Sequence, residues 1–162
     1  MASPPGARHW LVKSEPEVYS IDDLARDGVT CWDGVRNYQA RNFLRDMRVG
    51  DAVLFYHSNA EPVGVVGVAT VVREAYADPS QFDATSAYFD AKSDAASPRW
   101  DAVDVRFVRR LARVVTLAEI KADAALAGML LVQRGQRLSV QPVAVGHYER
   151  ILGRGGEAAA SS

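Results

Sequence analysis

The sequence holds one cysteine, Cys31, in 162 residues. A lone thiol excludes an internal disulfide framework and a cysteine-built zinc site, and it suits a reducing compartment. Histidine is sparse as well. His9, His57 and His147 lie far apart, and no HExxH, GxSxG or GxxxxGK[ST] is present. A relay from His57 to Ser58 is disfavoured because neighbours on a strand point to opposite faces. No apolar run approaches the roughly 20 residues of a membrane-spanning helix. Residues 1–8 carry no apolar core and read as a flexible leader, not a signal peptide. Lysine is nearly missing: three lysines stand against sixteen arginines. That bias favours planar, bidentate and stacking cations over point charges.

The length fits one domain able to bury a core without staples. The net charge of −1 hides a segregation along the chain. Residues 32–48 and 99–113 are basic, whereas residues 74–94 are acidic. A basic face would attract phosphates; an arginine-rich but purely solvated surface is the alternative.

Residues 9–13 read as a strand, ended by Pro16. Ser20 and Asp23 match a capping box, predicting a helix to about Arg26 with Gly28 just beyond its end. Residues 29–32 read as a second strand. Ala40, Phe43, Leu44 and Met47 form one apolar stripe at helical spacing, and Gly50 is expected to close that helix. On another face Arg41, Arg45 and Arg48 form a guanidinium row. Residues 52–57 carry large side chains on both faces and should lie centrally. Residues 63–72 are nearly all apolar and β-branched, a strand buried on both sides. Residues 75–98 read as a loop with an aromatic island of Phe82, Tyr88 and Phe89. Residues 101–113 alternate until a bulge near Arg109 and Arg110. Thr116 and Glu119 form a second capping box, opening a helix that ends near Gly128. Residues 138–143 and 147–152 read as a last strand and a last helix, and residues 153–162 as a disordered tail. Short strands with small helices between them predict an α+β fold, a curled or closed sheet with flanking helices, rather than a doubly wound parallel sheet.

Residues 32–42 (WDGVRNYQARN) gather an aromatic, a turn glycine, arginines and amides at the start of a helix. A site reading a flat, hydrogen-bonding ligand such as a nucleobase needs those groups together; a loop followed by a solvated helix face is the plain alternative. Polar clusters also stand where strands end: Lys13, Ser14 and Glu15; His57, Ser58 and Asn59; Arg137 and Ser139 around Leu138. In a curled sheet such ends meet at a mouth, a common place for a ligand. Turn chemistry for the serines and a surface charge for Glu15 compete with that reading. Trp10 belongs in the core. Trp32 and Trp100 stand beside turns and arginines, as stacking platforms or as lids under loops.

Four segments, WLVKSEP from Trp10, WDGVRNYQARN from Trp32, GD at Gly50 with FYHS from Phe55, and RLSVQP from Arg137, together resemble the EVE domain family. The resemblance spans about residues 10–152, in the family's order, with an acidic loop at residues 78–94 that is also similar. It implies a PUA-like curled sheet or pseudo-barrel over residues 9–152, related to YTH and ASCH domains. It also implies a reader of a modified base, such as 5-methylcytosine in DNA or a modified base in RNA. Carried over, the pocket comprises Lys13, Ser14, Trp32, Val35, Arg36, Asn37, Tyr56, Ser58, Arg137 and Ser139. In that picture Trp32 and Tyr56 stack on the ring, Asn37, Ser14 and Ser58 read its edge, and Val35 meets a methyl group. Arg36, Arg41, Arg45, Arg106 and Arg110 hold phosphates. No cofactor and no metal are expected, and the partner is nucleic acid rather than membrane. A cytoplasmic or nucleoid-associated monomer is expected. Two alternatives stay open: a nucleic-acid hydrolase using Lys13 or Glu15 as general base in the same cavity, and a protein-binding module built on the Phe82, Tyr88 and Phe89 loop.

Overall fold

The computed structural model describes residues 8–156. Its strands are β1 (His9–Ser14), β2 (Val29–Trp32), β3 (Ala52–His57), β4 (Gly64–Ala77), β5 (Asp101–Thr116) and β6 (Val140–Val143). The helices are α1 (Ile21–Asp27), α2 (Tyr38–Asp46), α3 (Leu117–Ala122) and α4 (Val145–Gly155), with three short 3-10 turns. The strands form one mixed sheet in the order β2-β5-β4-β3-β1-β6. Only β1 and β3 run parallel, linked by the α1-β2-α2 crossover; every other pair is antiparallel.

Alternation along each strand splits the apolar side chains into two cores. Val53 and Phe55 of β3 join Trp10, Val12, Val103 and Val105 under α1 and α2. Leu54 and Tyr56, on the other face of the same strand, join Leu11, Val65 and Val115 under α3 and α4. β3 is therefore interior and covered on both sides, as its composition predicts. Burying a side chain such as Leu44 or Phe55 contributes about 1.5–3 kcal/mol, so the two cores hold the sheet between helical layers. One buried carboxylate ties the start of β1 to the turn before β3. Asp51, 2% exposed, accepts from the Trp10 indole Nε1 at 2.9 Å and from the backbone N–H groups of Arg8 at 3.0 Å and Arg48 at 2.9 Å. Three donors satisfy a charge that would otherwise be costly to bury.

Both predicted capping boxes are present, at Ser20 with Asp23 and at Thr116 with Glu119. Several boundaries move. Helix α2 ends at Asp46 with Met47 as its cap, so Arg48 lies past the helix and donates to the Arg45 and Met47 carbonyls. Strand β4 continues through Ala77 because Tyr76 and Ala77 still pair with Ala102 and Asp101. The second capped helix stops at Ala122, where Asp123 caps the next 3-10 turn. Strand β6 starts at Val140, not Leu138, and α4 spans Val145–Gly155, longer at both ends than residues 147–152. The expected tail is therefore helical over 153–155, with Gly156 as the cap; residues 157–162 and most of the expected leader lie outside the described residues. A register shift between the pairs Val68–Arg109 and Ala69–Phe107 matches the predicted bulge.

Candidate functional site

Residues from both edges of the sheet line a single hollow of about 890 Å³. Thr30, Cys31 and Trp32 come from edge strand β2, Lys13 and Ser14 from β1, and Gln136, Arg137 and Ser139 from the segment entering edge strand β6. Laid flat, six strands spaced about 4.8 Å apart would hold those edges about 24 Å from one another. The sheet must curl to bring them to one mouth, and its size falls within the roughly 300–1,000 Å³ of small-ligand pockets.

Trp32 forms a wall of this hollow. Only 8% exposed, it meets Phe55 and Tyr19 edge-on, with ring centroids 5.4 and 6.4 Å away. Tyr19 donates its hydroxyl to Asp27 at 2.8 Å, and Val35, 5% exposed, adds an aliphatic surface. Tyr88 reaches in from the acidic loop. It lies so near Gly34 that a Cβ there would stand 2.8 Å from its ring carbons, and Gly34 also has φ +78°. The positive φ favours glycine at this position, and any side chain there would also push the Tyr88 ring aside.

The loop that carries Tyr88 is fastened from below. Asp78 is buried and accepts from Gly34 N–H at 2.9 Å, from Arg36 Nη1 at 2.9 Å and from the Ser80 hydroxyl at 2.6 Å. Burial works to raise its pKa, but the bonds from Ser80, Gly34 and Arg36 outweigh it and hold the carboxyl below its ordinary value. Arg36 also donates to the Tyr88 carbonyl at 2.6 Å and lies over the Trp100 ring. Gln81, fully buried, bonds the Asp78 and Trp100 carbonyls, both at 2.8 Å.

Ser14 donates its hydroxyl to the Tyr19 carbonyl at 2.7 Å, and its own carbonyl accepts from Ser58 N–H at 3.0 Å. Lys13 N–H bonds the Ser139 carbonyl at 2.9 Å. The backbone thus gathers the three strand-end clusters, while the hydroxyls of Ser58 and Ser139 have no hydrogen-bond partner among the described residues. Lys13 and Arg137 border the hollow with no carboxylate partner among the described residues. Burial lowers the Lys13 pKa.

Eight of the ten expected pocket residues therefore meet: Lys13, Ser14, Trp32, Val35, Arg36, Ser58, Arg137 and Ser139. Asn37 does not. Its side chain caps α2, accepting from Ala40 N–H at 2.9 Å. Tyr56 does not either. Its ring is buried in the core under α3 and α4, where burial pushes its pKa to about 12, and only the Lys13 ammonium lies over it, at 5.7 Å. Stacking surface comes instead from Trp32, Tyr19 and Tyr88. Trp100 is a lid, 6% exposed, stacked on Tyr38 and donating to Asp90 at 2.7 Å.

The expected phosphate-binding arginines are largely engaged. Arg45 pairs with Asp101, Arg110 with Asp22 at 2.8 Å, and Arg41 donates to the Arg99 carbonyl at 2.9 Å. Arg106 is exposed on β5 without a partner among the described residues. His57 is a strand-end hydrogen-bonding residue, its Nε2 accepting from Ile21 N–H at 3.1 Å. Glu15 accepts from Asn59 at 3.2 Å. Missing from the expected set are Tyr19, Thr30, Cys31, Asp33, Tyr88 and Gln136, all of which line the hollow. Among the described residues no His, Cys, Asp and Glu cluster could hold a metal ion, and no helix is long and apolar enough to cross a membrane.

The EVE domain profile matches residues 8–154. The chain is 43% identical to human thymocyte nuclear protein 1, over 89% of this chain and 72% of that protein. It is also similar to the crystal structure of human THYN1 protein in complex with DNA containing 5-methylcytosine. There the identity is 42% with a TM-score of 0.88, covering 94% of this chain and 99% of the other. A more distant likeness, at 15% identity and TM-score 0.57, links it to a YTH domain of Zygosaccharomyces rouxii solved with N6-methyladenosine RNA, over 98% of this chain and 92% of that one. That likeness shows a shared PUA-type fold.

Proposed function

The chain belongs to the EVE domain family, and from that premise we propose that it is a nucleic-acid reader that takes one modified base into the hollow at the curled edge of its sheet. The observation that carries this reading is the hollow itself. An indole wall, an aliphatic residue and, among the described residues, unclaimed hydroxyls and two cations without a carboxylate partner converge where edge strand β2 faces the segment entering edge strand β6. A base leaving its stack loses a few kcal/mol of stacking, and aromatic contact returns about 1–3 kcal/mol per base. Trp32 with Tyr19 and Tyr88 supplies that contact, Val35 meets a methyl group, and Ser14, Ser58 and Ser139 bond the base edge. Lys13 and Arg137 are placed for the flanking phosphates at no cost in broken ion pairs, unlike Arg45 and Arg110. The human relative's complex with 5-methylcytosine DNA makes that base the first candidate.

The reader role without catalysis belongs to the same proposal, as does a monomer working in the cytoplasm or at the nucleoid. Fluorescence anisotropy with matched DNA and RNA oligonucleotides, carrying cytosine or 5-methylcytosine, tests it. Tighter binding of the methylated strand is expected, with oligonucleotides recovered intact. Arg137→Ala should lower the salt slope by about one, and Arg45→Ala by less. Equal affinity for both strands, or cleavage of either, would overturn the reading.

A further inference from the structure

Asp33 stands directly after Trp32 in the wall of the hollow and, among the described residues, is the one acidic residue lining it whose carboxylate receives no donor from another residue; Glu15, the other, is held by Asn59. The remaining polar lining offers donors: the Lys13 ammonium, the Arg137 guanidinium, the Gln136 amide and the hydroxyls of Ser58, Ser139 and Tyr88, whereas those of Ser14 and Tyr19 are already committed to the Tyr19 carbonyl and to Asp27. Resting on the base-reader function proposed above, we infer that Asp33 is the residue that selects an amino-bearing base, accepting a hydrogen bond from the exocyclic amine and so separating 5-methylcytosine from thymine.

The chemistry of the two bases gives such a residue a role. Both carry the same methyl group, so Val35 and the aromatic wall cannot tell them apart. They differ along one edge: position 4 is an amine in cytosine and a carbonyl in thymine, and N3 is an acceptor in cytosine and an N–H donor in thymine. A carboxylate accepts from the amine, but against the carbonyl it sets two acceptors face to face with no proton between them. The hydroxyls of Ser58 and Ser139, which donate or accept by rotating, do not discriminate in this way. The surroundings suit the role. Asp33 is open to solvent, and partial desolvation with Asp78 nearby raises its pKa against the pull of Arg36. A carboxylate whose charge is disfavoured in this way gains by acquiring a donor. Its neighbour Gly34 is pinned by Asp78, which fixes the backbone that presents it.

The test uses single strands, so that pairing and mismatch stability play no part, each with 5-methylcytosine, cytosine or thymine at one position. Wild-type protein should prefer 5-methylcytosine over thymine by roughly tenfold or more. In Asp33→Asn the amide can present either an acceptor or a donor, and that preference should fall to about twofold or less, while the preference for 5-methylcytosine over cytosine persists. Asp33→Ala should show the same collapse, and thermal unfolding confirms that each variant is folded. A variant that keeps both preferences overturns the role of Asp33 and leaves the reader function standing. Wild-type protein with no preference among the three bases overturns both.

Discussion

Trp32 serves two purposes, and they pull its experimental tests apart. It walls the hollow, but it is also a core residue against Phe55. Truncating a buried tryptophan to alanine costs about 3–5 kcal/mol, so Trp32→Ala would weaken binding by loosening the fold as much as by removing a stacking surface. Gly34 gives a sharper test of how the mouth is kept in shape. Gly34→Ala forces a side chain onto φ +78° and into the Tyr88 ring. The left-handed conformation alone costs about 1–2 kcal/mol, and the Tyr88 ring must also swing aside. Urea unfolding should show a loss of about that size; unchanged stability would mean that this turn does not need its left-handed glycine. At this scale the sequence was a partial guide. The stretch 32–36 does border the hollow, but Asn37 is a helix cap. The capping boxes at Ser20 and Thr116 announce themselves by an acid three residues on, whereas the residue three after Asn37 is Ala40. Arg36 carries no sign that its partner is Asp78, because that contact crosses 42 positions.

Among the elements, α3 and α4 are held to β5 by a chain of charges. Arg113 pairs with Glu119 at 2.7 Å, Arg154 with Glu119 at 3.1 Å and with Asp123 at 2.9 Å, and Arg150 with Asp123 at 2.6 Å. The bond from Arg113, helped by Thr116 N–H and Arg154 and opposed by burial, holds the Glu119 pKa at about 2, against an ordinary 4.5. A carboxyl depressed on folding stabilises fully above its unfolded value, and that stabilisation is lost as pH falls towards the folded value. Melting temperature should therefore decline between about pH 5 and 2. Glu119→Gln, which keeps the capping box, should flatten that decline. Parallel curves for wild type and variant would show that this carboxylate is not the acid-sensitive group. Strand existence was legible from alternation and β-branching, and strand ends were not. Arg73 and Glu74 look like the start of a loop, yet β4 runs on because β5 supplies pairing partners through Asp101. The core that each face of β3 joins was equally hidden: alternation puts Phe55 and Tyr56 on opposite sides, but which helices cover which side is set by the crossover.

For the molecule as a whole, the decisive fact is that edge strand β2 and the segment entering β6, at the opposite end of the strand order, border one cavity. Curling leaves those edges unpaired with each other and turns the gap into a mouth with a fixed aromatic wall. The sequence signalled a curled sheet through its many short strands, and it signalled the three strand-end clusters. The acidic loop is where it fell short. Asp78, Gln81 and Tyr88 fasten that loop over the mouth through contacts far apart in the chain. The most direct measurement fills the hollow without touching the core. Ser139 lines it from the segment before β6, and its backbone carbonyl, not its hydroxyl, makes the structural bond to Lys13. Anisotropy titrations of Ser139→Phe with methylated and unmethylated strands should show the preference for the methylated strand gone, with weak, salt-dependent binding to both retained. If the phenylalanine variant still favours the methylated strand as wild type does, the base is not read in this hollow.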